Sequence, residues 1–185
     1  MEKQELIDGC LAAFLQAGSL DVSLDQLAER VGISKRMLVH YFGGRENIEE
    51  QAMTRLEERL RAQFAPENFP PGVPVEKVVA ALWERTTAPA SGGVLRLIMD
   101  LSRRAWNGSD RAKAFYEEQR QLWTRLLMTY LPDKAAVEEL LQLFQGAVLA
   151  YLVTGDAGAG KRALMRVLSK RRKRRKRSAG RQSGR

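Results

Sequence analysis

The 185-residue sequence contains one cysteine, Cys10, and one histidine, His40. A lone cysteine excludes an internal disulfide framework, and one Cys with one His cannot furnish the usual four-ligand structural zinc site. No uninterrupted apolar run reaches the ~18 residues of a membrane span. The opening MEKQELIDG is too polar for a secretory signal. These absences lead to the expectation of a cytoplasmic protein in a reducing compartment, with no metal, no cofactor and no membrane. Under that expectation the sequon Asn107-Gly108-Ser109 is a chance match. No catalytic triad or framed carboxylate pair appears, so no enzyme activity is expected.

Acidic residues are missing from one stretch only. Residues 170–185 hold ten Lys/Arg and no Asp or Glu, and removing those ten from the total of 31 leaves 21 cations against 22 acids. The net charge of +9 is therefore a property of the C-terminus, and the remainder is close to neutral. Eight consecutive cations, Lys170, Arg171, Arg172, Lys173, Arg174, Arg175, Lys176 and Arg177, are expected to be disordered in isolation and to bind a polyanion. Composition alone leaves DNA, RNA and an anionic membrane surface open as that polyanion.

Elsewhere the apolar residues recur at helical spacing, and no segment alternates as a strand does. Leu6, Ile7, Cys10, Leu11 and Phe14 form one stripe, ended by Gly18. Ser23 with Gln26 three residues on is a capping-box pattern, and Ser34 is an N-cap for a helix through Phe42. Further helices are predicted over Arg45 to Phe64, Val75 to Thr87, Val94 to Trp106, Asp110 to Leu131, Lys134 to Val153 and Lys161 to Ser169. The fold class is all-α. Its organisation is read as a three-helix domain at 1–47, a helical bundle at 48–169 and the basic tail at 170–185.

Two short helices joined by Val31-Gly32-Ile33-Ser34 have the arithmetic of a helix-turn-helix. The start of its second helix offers Lys35, Arg36, Met37, Val39 and His40 to a major groove. Residues 6 to 52 resemble the DNA-binding domain of the tetracycline-repressor (TetR) family of bacterial regulators. The resemblance is carried by the leading helix with Gly18, Ser23, Leu27-Ala28 before Val31-Gly32-Ile33-Ser34, and Tyr41-Phe42-Gly43-Gly44-Arg45-Glu46. Weaker similarity covers LLQLFQGAVLAYLVTG, Leu140 to Gly155.

That resemblance implies base or backbone contacts by Lys35, Arg36, Met37 and His40, and phosphate contacts by Ser23, Tyr41 and Arg45, with Ser34 and Val39 included in the expected DNA-binding set although the family's aromatic contact is lost at Val39. Arg36, Met37 and Val39 depart from the family's usual small residue or Pro, Thr or Ser, and Tyr. Arg45 stands where Lys is usual. Arg36 adds a long cation able to read guanine bidentately. Residues 1–47 carry five Lys/Arg and seven acids, so the head is expected to bind DNA weakly by itself. Cys10, on the apolar stripe, is read as packing.

The resemblance further implies a homodimer on a palindromic operator, most simply a repressor, and a small-molecule effector that is largely apolar. A helix apolar on two sides must bury both, which places Leu140, Leu143, Phe144, Ala147 and Tyr151, with Leu164 from the last helix, at the dimer interface. Trp83, Leu97, Trp106, Phe115, Tyr116, Trp123 and Leu127 are the candidate pocket lining. Asp100, Arg103, Arg104 and Glu117 form no motif assignable to a ligand. A competing enzyme reading rests on GDAGAGKR, a phosphate-loop spacing of Gly155, Gly160 and Lys161. Arg162 occupies the position that needs Ser or Thr, and no metal-binding strand follows.

Overall fold

The computed structural model describes the backbone of residues 2–182, and side chains there except those of residue 66 and residues 173–182. Among the described residues it is helical without strands: α1 (Lys3–Ala17), α2 (Leu24–Val31), α3 (Lys35–Phe42), α4 (Arg45–Gln63), α5 (Val75–Thr86), α6 (Gly92–Trp106), α7 (Asp110–Met128), α8 (Lys134–Thr154) and α9 (Ala157–Gln182). Two compact units emerge, one of Met1–Ala65 with Ala90–Leu122, the other of Pro66–Pro89 with Trp123–Arg185.

In the first unit α1 is the central helix, packed against α2, α4 and α6. Leu6, Cys10 and Phe14 from α1, Leu27 from α2, Leu38 from α3 and Ile48 from α4 are all fully buried. Each such side chain contributes about 1.5–3 kcal/mol on burial. Burial pushes the Cys10 thiol up to about 11, leaving it an unreactive packing group.

In the second unit α9 packs on α5 and α8. At its centre the Trp83 indole donates from Nε1 to the Ala157 carbonyl at 2.9 Å and meets Phe144 edge to face at 5.4 Å. Gly160 lies against this ring, and a Cβ there would overlap the indole. The glycine run thus has a packing purpose. Gly155 closes α8, Asp156 Oδ1 accepts from the Ala159 N–H at 3.0 Å, and Lys161 Nζ lies 2.6 Å from Glu84 Oε1. The glycines and lysine of the phosphate-loop reading are spent on a helix start, which is why α9 begins at Ala157 and not Lys161.

The backbone of α9 continues helically across the basic block to Gln182. Arg171 pairs with Glu139 and lies 3.8 Å from Asp133, and Arg172 lies 3.9 Å from Glu76. Lys170 and Arg172 are exposed. The side chains of Lys173, Arg174, Arg175, Lys176 and Arg177 lie outside the described residues. Among those described, α8 alone is long and apolar enough to cross a membrane by length and composition, although Glu138, Glu139, Gln142 and Gln145 interrupt its apolar run. Its Val137, Leu140, Ala147 and Val148 are buried within the second unit.

Candidate nucleic-acid interface

Ser23 caps α2, accepting from the Gln26 N–H at 3.2 Å, while Gln26 Oε1 accepts the Ser23 N–H at 2.9 Å. Gly32 then turns the chain at φ 72°, a conformation only glycine adopts without strain. Ser34 caps α3 by accepting the Met37 N–H at 3.2 Å. Each cap is worth about 0.5–2 kcal/mol to a helix of two turns that would not persist alone. Both serine hydroxyls keep a proton to donate outward.

Leu38 and Phe42, four residues apart, bury one face of α3. That register forces Lys35, Arg36, Met37, His40 and Tyr41 outward, all of them exposed, with Val39 half-buried. The His40 and Tyr41 rings stand edge to face at 6.2 Å. Lys35 Nζ pairs with Asp25 of α2 at 3.0 Å, and among the described residues no ion pair engages Arg36. Asn47 Nδ2 donates to the Phe42 carbonyl at 2.7 Å and fixes the end of α3 to α4.

Arg45 is placed differently from the expectation of a phosphate contact. Its Nη1 and Nη2 donate to the Val22 and Leu20 carbonyls at 2.7 and 2.6 Å, and Nε lies 2.6 Å from Glu49. All three nitrogens are engaged inside the unit, because the chain before α2 presents carbonyls that no helix satisfies. The start of α4 has no side-chain cap and borders an open concavity of about 430 Å³ lined by residues from Phe42 to Asn47. Backbone N–H groups at such a helix start favour an anion.

Behind the reading surface lies an ionic frame that local sequence did not reveal. Asp8 accepts from Arg55 Nε at 2.7 Å and Arg59 Nη2 at 2.8 Å, and the Arg55 hydrogen bond leads in holding its carboxyl below the usual carboxylate range. Glu57 is buried with Arg111 at 3.1 Å, and burial pushes its carboxyl upward against that guanidinium. Asp100 joins Ser19 and Leu20 to Arg103 and Arg104. Burial by itself would raise the Asp100 carboxyl, but these hydrogen bonds outweigh it and hold it low. The partners are up to 81 residues apart along the chain, so no spacing rule finds them.

The expected pocket residues divide between the two units. Leu97 and Phe115 are buried in the first unit, and Trp83 and Leu127 in the second, where Trp83 and the half-buried Trp123 both meet Phe144. Trp106, at the end of α6, is 90% exposed and lines no interior space, because the helix stops there and the indole projects outward. Tyr116 is also exposed. Of the expected interface residues, Leu140, Ala147 and Leu164 are buried by this chain's own packing. Leu143, Phe144 and Tyr151 are half-buried, with the Tyr151 hydroxyl donating to the Thr87 carbonyl at 3.1 Å. The face of α8 left open carries Gly146, Leu149, Ala150 and Val153.

Two capped helices at a glycine turn, with an exposed cationic second helix, define a helix-turn-helix protein. Residues 6–52 match the model of bacterial regulatory proteins of the tetR family, and this N-terminal domain is a tetR-family domain. Over 82 residues the chain is 30% identical to the HTH-type transcriptional regulator BetI of Brucella canis. That match covers 44% of this chain and 41% of BetI, so the chain spans about two fifths of the curated relative's length. The fold is similar to that of a tetR-family transcriptional regulator from Streptomyces coelicolor, with TM-score 0.70, 20% identity, and coverage of 90% of this chain and 76% of that one. It is also similar to the multidrug binding protein EbrR in complex with proflavin, with TM-score 0.68, 18% identity, and coverage of 90% and 99%.

Proposed function

We propose that the protein is a dimeric, ligand-responsive transcriptional regulator, acting as a repressor at a palindromic operator in the bacterial cytoplasm, where it associates with the nucleoid. The observation that carries this reading is the outward face of α3, where Arg36 stands exposed with Met37, His40 and Tyr41 and, among the described residues, no acid pairs with it. Arg36 has the reach and planar fork to bond guanine O6 and N7. Ser23 and the start of α4 hold flanking phosphates. Because the head is slightly acidic overall, the basic C-terminus supplies sequence-independent affinity. In that role Arg171 is partly neutralised by its acids, and Lys170 and the cations beyond Arg172 do most of the work.

The domain assignment that follows is recognition by residues 1–47, effector binding and dimerisation by 48–169, and non-specific attraction by 170–185. The open face of α8 at Gly146, Leu149, Ala150 and Val153 suits a second copy, since small residues permit close helix crossing. Two copies are what a two-half-site operator needs. A largely apolar small molecule would favour a conformation in which α4 tilts the two heads out of register. Proflavin, held by EbrR, is a reasonable first probe.

Binding selection on random DNA is expected to return a palindrome. Arg36→Ala is then expected to weaken binding by about 1–3 kcal/mol, roughly 5- to 150-fold, and relax preference at one position of each half-site. A selection that enriches no sequence, or an Arg36→Ala protein with unaltered preference, would sink the reading.

A further inference from the structure

Asp100 sits in the middle of α6, yet its carboxylate is spent on the linker between α1 and α2. Its Oδ2 accepts the Ser19 hydroxyl at 3.1 Å and the Leu20 backbone N–H at 3.1 Å. Its Oδ1 accepts from Arg103 Nη2 at 2.7 Å, and Oδ2 from Arg104 Nε at 3.0 Å. The same two guanidiniums continue to Asp21 of that linker, at 3.2 and 2.5 Å. The Asp100 side chain is only 9% exposed, whereas Asp21 is 64% exposed. The carboxylate is thus the anchor of the group and Asp21 its outer rim.

The position of that linker matters because it leads directly into Ser23, the cap of α2. The Leu20 N–H belongs to no helix, and Asp100 is the acceptor it has. A buried, charge-assisted bond of this kind is directional and costly to leave unmade. The entry of the chain into the helix-turn-helix therefore follows α6, which contributes nothing to the reading surface itself. Had Asp100 served only to stabilise α6, its bonds to Arg103 and Arg104 on the same helix would suffice.

We propose that Asp100 is a positioning residue for operator recognition: it fixes the attitude of the helix-turn-helix on α6, and so sets the half-site spacing that the dimer accepts. This rests on the regulator reading above. The carboxylate does not touch DNA and acts through Ser19, Leu20 and Asp21. A displacement of α6 carries the linker with it, and the two heads leave register although each reading surface stays intact.

The test uses the full chain and the selected palindrome, with versions whose half-sites are moved apart or together by one base pair, and an isolated half-site. Asp100→Ala is expected to bind the palindrome about tenfold more weakly and to lose its preference for the original spacing. Half-site affinity and salt dependence should match the wild type. Asp100→Asn, which keeps an oxygen for Leu20 and Ser19 but drops the charge, is expected to fall between. Should the Ala protein fail to fold, Asp100→Asn and Ser19→Ala carry the same measurement, both with loosened spacing preference. Spacing preference unchanged in the variants, or half-site affinity falling in parallel with palindrome affinity, overturns the proposal, the latter by reducing Asp100 to a support of the head's fold. A wild-type protein that selects no palindrome overturns the regulator reading itself, an outcome distinct from either.

Discussion

In the first compact unit, many of the contacts joining elements far apart in sequence are ionic. Asp8 holds Arg55 and Arg59, Asp100 and Asp21 share Arg103 and Arg104, and Arg45 reaches the carbonyls of Leu20 and Val22. In the second unit the corresponding centre is a set of rings, Trp83 and Trp123 about Phe144, with Gly160 seated under the indole. Charge bonds are directional, and they weaken with salt and acid. Ring packing depends on shape and volume and is nearly indifferent to both. On the proposed function, a unit that must hold a fixed attitude toward DNA is framed by the directional kind, whereas the second unit is filled by the shape-dependent kind.

The largest expected effect is on the aromatic side. Trp83→Ala should destabilise the protein by about 3–5 kcal/mol in urea unfolding followed by far-UV circular dichroism. Trp83→Phe, keeping a ring but losing the bond to Ala157, should cost much less than the truncation. If the two variants were equally unstable, the hydrogen bond and not the ring would be the main contribution, and the contrast between the units would fail.

Next in size is Arg45→Ala, expected to lower stability by about 1–2 kcal/mol through the orphaned Val22 carbonyl and the loss of one of two bonds to the Leu20 carbonyl, which keeps the Val22 N–H at 2.8 Å. Its signature lies in DNA binding. An Arg45 that touched phosphate would take ~0.9 from the slope of log K against log salt for each head when removed. The geometry predicts an unchanged slope, so a lower one would restore the direct contact.

The smallest effect is the pH dependence. Asp8 and Asp100 have carboxyl pKa values lowered from the ordinary 3.8 in the folded state. Their stabilisation is therefore complete above that value and is lost as the pH falls from it through the lowered ones. Glu57 opposes this, because its raised carboxyl makes protonation on acidification favourable to the fold. Melting temperature followed from pH 7 downward should drop below about pH 4. Asp8→Asn should flatten that limb at a cost under about 1 kcal/mol at neutral pH, the site being partly solvated. A limb as steep in the variant would mean that Asp8 has no part in it.

Much of the reading head was legible in the sequence because its determinants are local. The serine caps, Gly32, the Leu38 and Phe42 spacing and the cations of α3 all act within a few residues of themselves. Arg45 is less legible for a related reason: the resemblance and its position at a helix start suggest an anion contact, whereas its partners in the structure are carbonyls 23 and 25 residues earlier. Helix α8 has no uninterrupted apolar run of membrane length, and only its mean hydropathy and length together suit it to crossing a membrane.

On α8 the sequence shows two apolar faces, but which one the chain keeps for itself is a matter of packing. The face with Leu140, Ala147 and Val148 is buried by the second unit, and Gly146, Leu149, Ala150 and Val153 are left open. Trp106 looks like any pocket tryptophan until its helix is seen to end there. The sequence by itself determined most of the helices, their caps and the cationic outer face of α3, because capping and 3.6-residue periodicity are short-range. Only the tertiary structure decided that Asp100 and Arg45 hold the linker into α2. Such bonds join groups remote along the chain, and their energy depends on burial and direction that no linear pattern records.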